Sequence, residues 1–203
     1  MFRTLLFIPG NNKRFVEKAR SLNADIICFD LEDSVPLNEK QNARDIVSEA
    51  LDKKEDYGNR NVYVRINSYE SGIAIQDLDA IVSDEIDGVV VPKVNDAKEV
   101  RHLVRKLIEL ERQKTMSKKM GMMASIESAQ GLINSYSIAT ADLRVKMLVF
   151  GVFDFLYDMG LDYVQDGIEY SFARAKIPID ARAAGIGAID AIWQKVDDIE
   201  GLV

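Results

Sequence analysis

Apolar residues return along this chain with two different spacings, and the spacings alternate. Short, largely apolar runs cover residues 4–8, 25–29, 61–66, 87–93, 122–126 and 145–150, each closed by a Pro, a Gly or a polar or charged side chain. Runs of this kind predict strands, the first of them buried on both faces. Between them apolar positions recur every three or four residues, the spacing of one helix face. Residues 11–21 open on a capping Asn and carry Phe15, Val16 and Ala19 inward, and residues 39–53 put Ala43, Ile46, Val47, Ala50 and Leu51 on one side. A short helix is predicted over 76–82. Asp96, with Glu99 three positions on as in a capping box, opens a helix whose inner stripe is Val100, Leu103, Val104, Leu107 and Ile108. Further helices are predicted over 129–139 and 167–184, the second kinked or divided by Pro178, which has no backbone N–H to give. Residues 185–190 read as a seventh strand.

Seven strand–helix alternations without a composition break predict a parallel sheet covered by helices, in one domain over residues 1–203. Length and strand count favour an α/β fold, a TIM-type (β/α)8 barrel with its eighth strand missing from this chain. An open doubly wound sheet is the second reading. The first strand runs into Pro9-Gly10-Asn-Asn, which is neither a Gly-x-Gly-x-x-Gly turn nor a P-loop, so a nucleotide site has weak support.

Composition narrows the field. A hydrophobic content of 47% and a charged content of 29% describe a folded chain rather than a disordered one. The net charge of −7 gives no support to nucleic-acid binding, and an anionic ligand has to be met by local positive charge. Cys28 is the single cysteine. It excludes a disulfide within the chain, sits in a strand as a core residue, and points to a cytoplasmic location. No run reaches the roughly 18 apolar residues of a membrane span. The opening run is too short for a signal peptide and reads as a strand.

In a barrel, chemistry gathers at the C-terminal ends of the strands. Those ends hold Pro9-Gly10, Asp30-Leu-Glu-Asp33, Arg65, Lys93, Glu127, Asp154 and Asp190. Glu127 and Asp154 close consecutive parallel strands, so they emerge side by side. Two hard oxygen ligands of this kind suit Mg2+, which keeps several waters and takes one or two carboxylates. The alternative readings are a first-turn helix carboxylate for Glu127 and an N-cap for Asp154. Arg65 presents a fork that matches a substrate carboxylate, or else it neutralises Asp30 or Glu32 across the mouth. Asp30 and Asp33 are either an acid/base pair or caps of the turn that follows them. Lys93 reads as an ion-pair partner rather than a Schiff-base lysine, and His102 as a surface residue.

The ordered set Arg3-Thr-Leu-Leu-Phe-Ile-Pro-Gly-Asn11, Phe29-Asp-Leu-Glu-Asp-Ser-Val35, Val64-Arg-Ile-Asn67, Val91-Pro-Lys93, Ser125-Ile-Glu127, Phe150-Gly-Val-Phe-Asp154, Ala181-Arg-Ala-Ala-Gly185 and Ala188-Ile-Asp190 resembles the citrate lyase β-subunit family, within the metal-dependent aldolases and malyl-CoA or citramalyl-CoA lyases. The resemblance implies a barrel, bound Mg2+, and cleavage or formation of a carbon–carbon bond in a 3-hydroxyacyl thioester. It implies an oxo acid and an acyl thioester, carried on CoA or an acyl carrier protein, as partners. By motif, Glu127 and Asp154 are then the metal ligands and Arg65 the anchor of the oxo-acid carboxylate. Asp30, Glu32 and Asp33 line the metal's water shell and supply the base. Pro9, Gly10, Lys13 and Arg14 contact the thioester carrier. A homo-oligomer is expected, a trimer by resemblance, with Trp193 buried. Two other functions stay open: an oxo-acid aldolase or decarboxylase using the same metal without a thioester, and a non-catalytic barrel subunit of an assembly.

Overall fold

The apolar runs pair in the order in which the chain presents them. The computed structural model describes residues 2–164, 167–193, 197–198 and 200. In it β1 (Leu5–Pro9), β2 (Ile26–Asp30), β3 (Asn61–Arg65), β4 (Gly88–Val91), β5 (Gly121–Ile126), β6 (Val145–Phe150) and β7 (Gly187–Ile189) form one seven-stranded sheet in sequence order. Every neighbouring pair is parallel. Helices α1 (Lys13–Ala19), α2 (Lys40–Leu51), α3 (Ala74–Ile81), α4 (Ala97–Gln113), α5 (Ala129–Ile133), α6 (Ser135–Ala139), α7 (Val152–Met159) and α8 (Ser171–Ala183) fill the crossovers.

Side chains alternate across each strand, and the two faces have different company. One face, carrying Ile27, Phe29, Val62, Val64, Val89 and Leu148, packs with Val47, Leu78, Leu103 and Leu107 of the helices into the main core. The other face gathers Leu5, Phe7, Ile26, Cys28, Tyr63, Val90, Met123, Met147, Val149 and Ile189 into a second, smaller cluster. That cluster draws on all seven strands, so the sheet curls with this face inside. Among the described residues β1 and β7 stand at opposite ends of the hydrogen-bonding order and do not pair.

The expected elements are present, with five local differences. Phe15 was expected inward but is 38% exposed, while Val16 and Ala19 are buried. The first strand is an edge strand, not one buried on both faces, and its Leu6 is exposed. The helix over 129–139 breaks at Asn134 into α5 and α6. Pro178 does not divide α8, which runs through it. The capping box at α4 closes one residue early: Asp96 accepts from the N–H groups of Lys98 and Glu99, and Glu99 reaches back to the N–H of Asn95 rather than to its own cap. No helix among the described residues is long and apolar enough to cross a membrane.

Candidate active site

Sheet register brings the first two site residues together. Asp30 and Arg65 are Cα partners on β2 and β3, and the two-residue alternation points both inward above Cys28 and Tyr63. Arg65 lays its fork on Asp30: Nε donates to Oδ1 at 2.6 Å and Nη2 to Oδ2 at 2.7 Å. The guanidinium also stacks on Phe7, 4.8 Å from the ring centroid. Asp30 further accepts from the N–H groups of Glu32 and Ser34 and from the Ser34 hydroxyl. Burial pushes the Asp30 carboxyl up, but the Arg65 and Ser34 bonds outweigh it and hold the group below its usual range. Asp30 is thus the cap of its turn, and Arg65 neutralises it. The third nitrogen of the guanidinium, Nη1, faces the mouth, 3.3 Å from Glu32 Oε2.

The turn capped by Asp30 throws Glu32 and Asp33 toward the end of β4. Lys40, from α2, fixes that turn by donating to the carbonyls of Leu31 and Glu32 at 2.6 and 2.7 Å. Opposite stands Lys93, just past β4, with φ at +53°. A residue with a Cβ rarely adopts this left-handed backbone. Its N–H donates to Glu127 Oε2 at 3.2 Å. Its ammonium lies 2.7 Å from Glu32, 3.1 Å from Asp33 and 3.5 Å from Asp154. Burial pulls the Lys93 ammonium down, yet the surrounding carboxylates outweigh it and raise it. A lysine held charged in this way is the opposite of a Schiff-base amine, which has to be neutral to attack.

Ile126 of β5 is in register with Phe150 of β6, so Glu127 lies beside Gly151. The fit is close: a Cβ on Gly151 would stand 2.5 Å from Glu127 Cγ and 2.7 Å from Oε1. Glu127 precedes the α5 N-cap, Ser128, and so is not a first-turn helix residue. Asp154 sits in the first turn of α7, whose N-cap is Gly151, and therefore does not cap it. Burial, then the neighbouring Glu32 and Asp154, push Glu127 up to about 8. Burial raises Glu32 to about 7 against the pull of Arg65 and Lys93.

Arg65, Ser125, Glu127, Gly151 and Asp154 line one cavity of about 660 Å3, whose apolar wall includes Leu5, Phe7, Val149, Ile189 and Trp193. Pro9, Gly10, Lys13 and Arg14 are not on that wall. Gly10 packs under the β2–α2 turn, where a Cβ would meet the Asp30 carbonyl at 2.7 Å. Lys13 pairs with Glu49 at the surface and Arg14 lies over Phe15. Asp190 pairs with Arg174 of α8. Trp193 is half-buried, its Nε1 donating to the Asp198 carbonyl. Cys28 is buried and its thiol is pushed up, as a core residue requires. His102 is exposed beside Tyr69. The sequence reading passed over Lys40, Ser125 and Gly151. The first stands at the start of α2, eight residues past Glu32. The second was visible as the inward residue two before Glu127, and the third as the glycine closing β6.

Among the described residues no three His, Cys, Asp or Glu side chains converge as a ready cation cage. They offer instead a set of hard oxygens with too little positive charge among them. With Arg65 engaged by Asp30, Lys93 and one edge of the guanidinium face Glu32, Asp33, Glu127 and Asp154. Glu32 Oε2 is buried and accepts no hydrogen bond. An orphaned buried oxygen and a charge deficit fit a divalent cation held by one or two carboxylates and by water.

A parallel sheet curled around an acidic mouth at its strand ends defines an α/β enzyme-type scaffold, and the kinship of the chain makes the class specific. Residues 3–203 match the HpcH/HpaI aldolase/citrate lyase family, and the chain belongs to it. It is similar to the citrate lyase subunit beta of Leuconostoc mesenteroides subsp. cremoris, with 40% identity over 202 residues, covering 98% of this chain and 66% of that protein. It is 34% identical to a (3S)-malyl-CoA thioesterase of Cereibacter sphaeroides, covering 99% of this chain and 66% of that one. The chain thus spans about two thirds of the length of these curated relatives. Its fold matches the crystal structure of CitE from Mycobacterium tuberculosis in complex with magnesium, acetoacetate and coenzyme A, with a TM-score of 0.74 and 28% identity over 98% of this chain and 68% of that one.

Proposed function

We propose that this chain carries a carbon–carbon lyase site of the citrate lyase β-subunit type, with Glu127 and Asp154 as ligands of Mg2+. The substrate class is a 3-hydroxyacyl thioester such as citryl-, malyl- or citramalyl-CoA, cleaved into, or formed from, an oxo acid and an acyl thioester. The observation that carries this reading is the under-neutralised carboxylate set at the strand-end mouth, with Glu32 Oε2 buried and unpartnered and Glu127 and Asp154 lining one cavity. The magnesium, acetoacetate and coenzyme A bound by the CitE relative support it.

Mg2+, when bound, supplies Lewis-acid stabilisation of negative charge developing on oxygen. The rest falls to the chain. Arg65, held rigid by Asp30, turns Nη1 to the site and anchors the remote carboxylate of the oxo acid. Glu32, whose Oε2 accepts no hydrogen bond, takes the proton of the 3-hydroxyl. Asp30, with both oxygens already engaged, holds the arrangement in place, and Asp33 secures Lys93. As the hydroxyl loses its proton, the bond between the carbinol carbon and the thioester α-carbon breaks. The carbinol becomes the oxo-acid carbonyl, and the electron pair leaves on the thioester as an enolate that is then protonated. In the same reading the seven strands belong to a TIM-type (β/α)8 barrel whose eighth strand is not among the described residues. The protein works in the cytoplasm as a homo-oligomer, a trimer by resemblance, with CoA or an acyl carrier protein as thioester carrier.

Glu127→Gln and Asp154→Asn test the assignment. Each is expected to abolish Mg2+ binding in calorimetry while leaving the circular dichroism spectrum intact. Unchanged Mg2+ affinity in both variants sinks the metal assignment. Turnover of free hydroxy-oxo acids, with acyl-CoA substrates untouched, would replace the thioester lyase by an aldolase or decarboxylase.

A further inference from the structure

One residue touches both carboxylates assigned to the metal, and it does so with two chemically different groups. The Lys93 backbone N–H holds Glu127 at 3.2 Å, and the Lys93 ammonium reaches Asp154 at 3.5 Å. The left-handed backbone at Lys93 makes this possible by turning the N–H toward β5 while the side chain crosses the mouth. From the same position the ammonium binds Glu32 at 2.7 Å and Asp33 at 3.1 Å.

We infer that Lys93 is a positioning residue whose ammonium stands in for the divalent cation in the metal-free site and releases Asp154 when the cation arrives. The inference rests on the reading of Glu127 and Asp154 as Mg2+ ligands. Without a cation, the four carboxylates of the mouth repel one another, and Lys93 is the compact positive charge among them. Its contacts are unequal. Those to Glu32 and Asp33 are at hydrogen-bonding distance, while the contact to the assigned ligand Asp154 is the longest of the three. That is the contact a flexible, partly exposed lysine stem gives up most easily. The hold on Glu127 is made by backbone and survives the exchange. The ammonium therefore pre-arranges the mouth and also competes with the metal for it, weakening Mg2+ binding relative to the same site without the charge.

Lys93→Met keeps the stem and removes the charge; Lys93→Gln does so with a polar end, and Lys93→Arg keeps the charge. The measurements are Mg2+ titration calorimetry and thermal unfolding in EDTA and in MgCl2, on the full chain. Both uncharged variants are expected to bind Mg2+ about tenfold more tightly than wild type, from removal of one nearby positive charge. They are also expected to melt lower in EDTA and to gain more from MgCl2, with Lys93→Arg close to wild type in all three. A lysine that only braces the fold would lower the melting temperature with Mg2+ affinity unchanged or weaker, and that result in both uncharged variants overturns the inference. If wild type itself binds no Mg2+, the metal reading falls and the exchange falls with it. If wild type binds and the uncharged variants do not bind more tightly, Lys93 alone is misassigned.

Discussion

Gly151 shows how narrowly a single position fixes the site. Its backbone, at φ −95° and ψ 88°, is open to any residue, so the need for glycine is steric. A methyl group there would lie 2.5 Å from Glu127 Cγ, and Glu127, buried and tied to the Lys93 N–H, has little room to yield. Gly151→Ala is expected to cost about 1–3 kcal/mol of stability through overpacking. It should also weaken Mg2+ binding at least as much as it weakens folding, since the displaced group is the assigned ligand. Calorimetry and thermal melting read the two effects separately. Undiminished Mg2+ affinity in the alanine variant would mean that Glu127 is not held where the metal needs it. Glu127 was legible in the sequence because it closes an apolar run, and strand alternation then fixes its side; Asp154 lies four residues past β6, in the first turn of α7, where that alternation no longer applies. The placing of Lys93 was not. Its ion-pair character could be guessed, but the left-handed turn that sends its N–H to Glu127 follows no periodicity. Lys40 was invisible for another reason, since it steadies the Glu32 turn by folding back from the start of α2 onto two backbone carbonyls, a contact no side-chain pattern announces.

Among the elements, strands were more legible than helices. β6 runs over the residues its apolar run marks out, and β2, β3 and β5 differ from expectation by a residue or so at their ends, because β2 and β5 are buried throughout and β3 and β6 over most of their length. Helix interiors were read correctly from the spacing of Val100, Leu103, Val104 and Leu107, while breaks were not. Asn134 divides a helix that looked continuous, and Pro178 leaves whole one that looked divided. The second case follows from burial. Ala173, Ile177 and Ala181 fasten one side of α8 to the core, and the exposed Pro178 sits on the other, where packing overrides the lost hydrogen bond. The loss still costs stability. Pro178→Ala restores a donor in the middle of a thirteen-residue helix. It is expected to stabilise the protein by about 1–3 kcal/mol, seen as a rise of several degrees in Tm. A lowered Tm would show that the packing of α8 depends on the proline's local geometry.

For the molecule as a whole, the open question is what covers the seam between β1 and β7. The central strands β2, β4 and β5 are buried at every position, whereas β1 and β7 are half-buried or exposed at most of theirs. Among the described residues two unpaired strand edges therefore flank an apolar inner wall that includes Leu5, Phe7 and Ile189. Water can satisfy the edge amides and carbonyls but cannot cover that wall, so association is the expected outcome. Self-association that closes the seam would also close the cavity on its apolar side and carry Trp193, now half-buried on the cavity wall, into the interior. Trp193 is the single tryptophan of the chain, so its emission reports on this place alone. Sedimentation at micromolar concentration is expected to give an oligomer, with Trp193 emission shifting to the blue as concentration rises. Hydrogen exchange at β1 and β7 should slow over the same concentration range, while β2 to β5 stay protected throughout. A stable monomer with solvent-like Trp193 emission and rapid exchange at both edges would contradict this. The inner wall would then be stable in contact with water, and the seam would serve as an entrance to the cavity rather than as an interface.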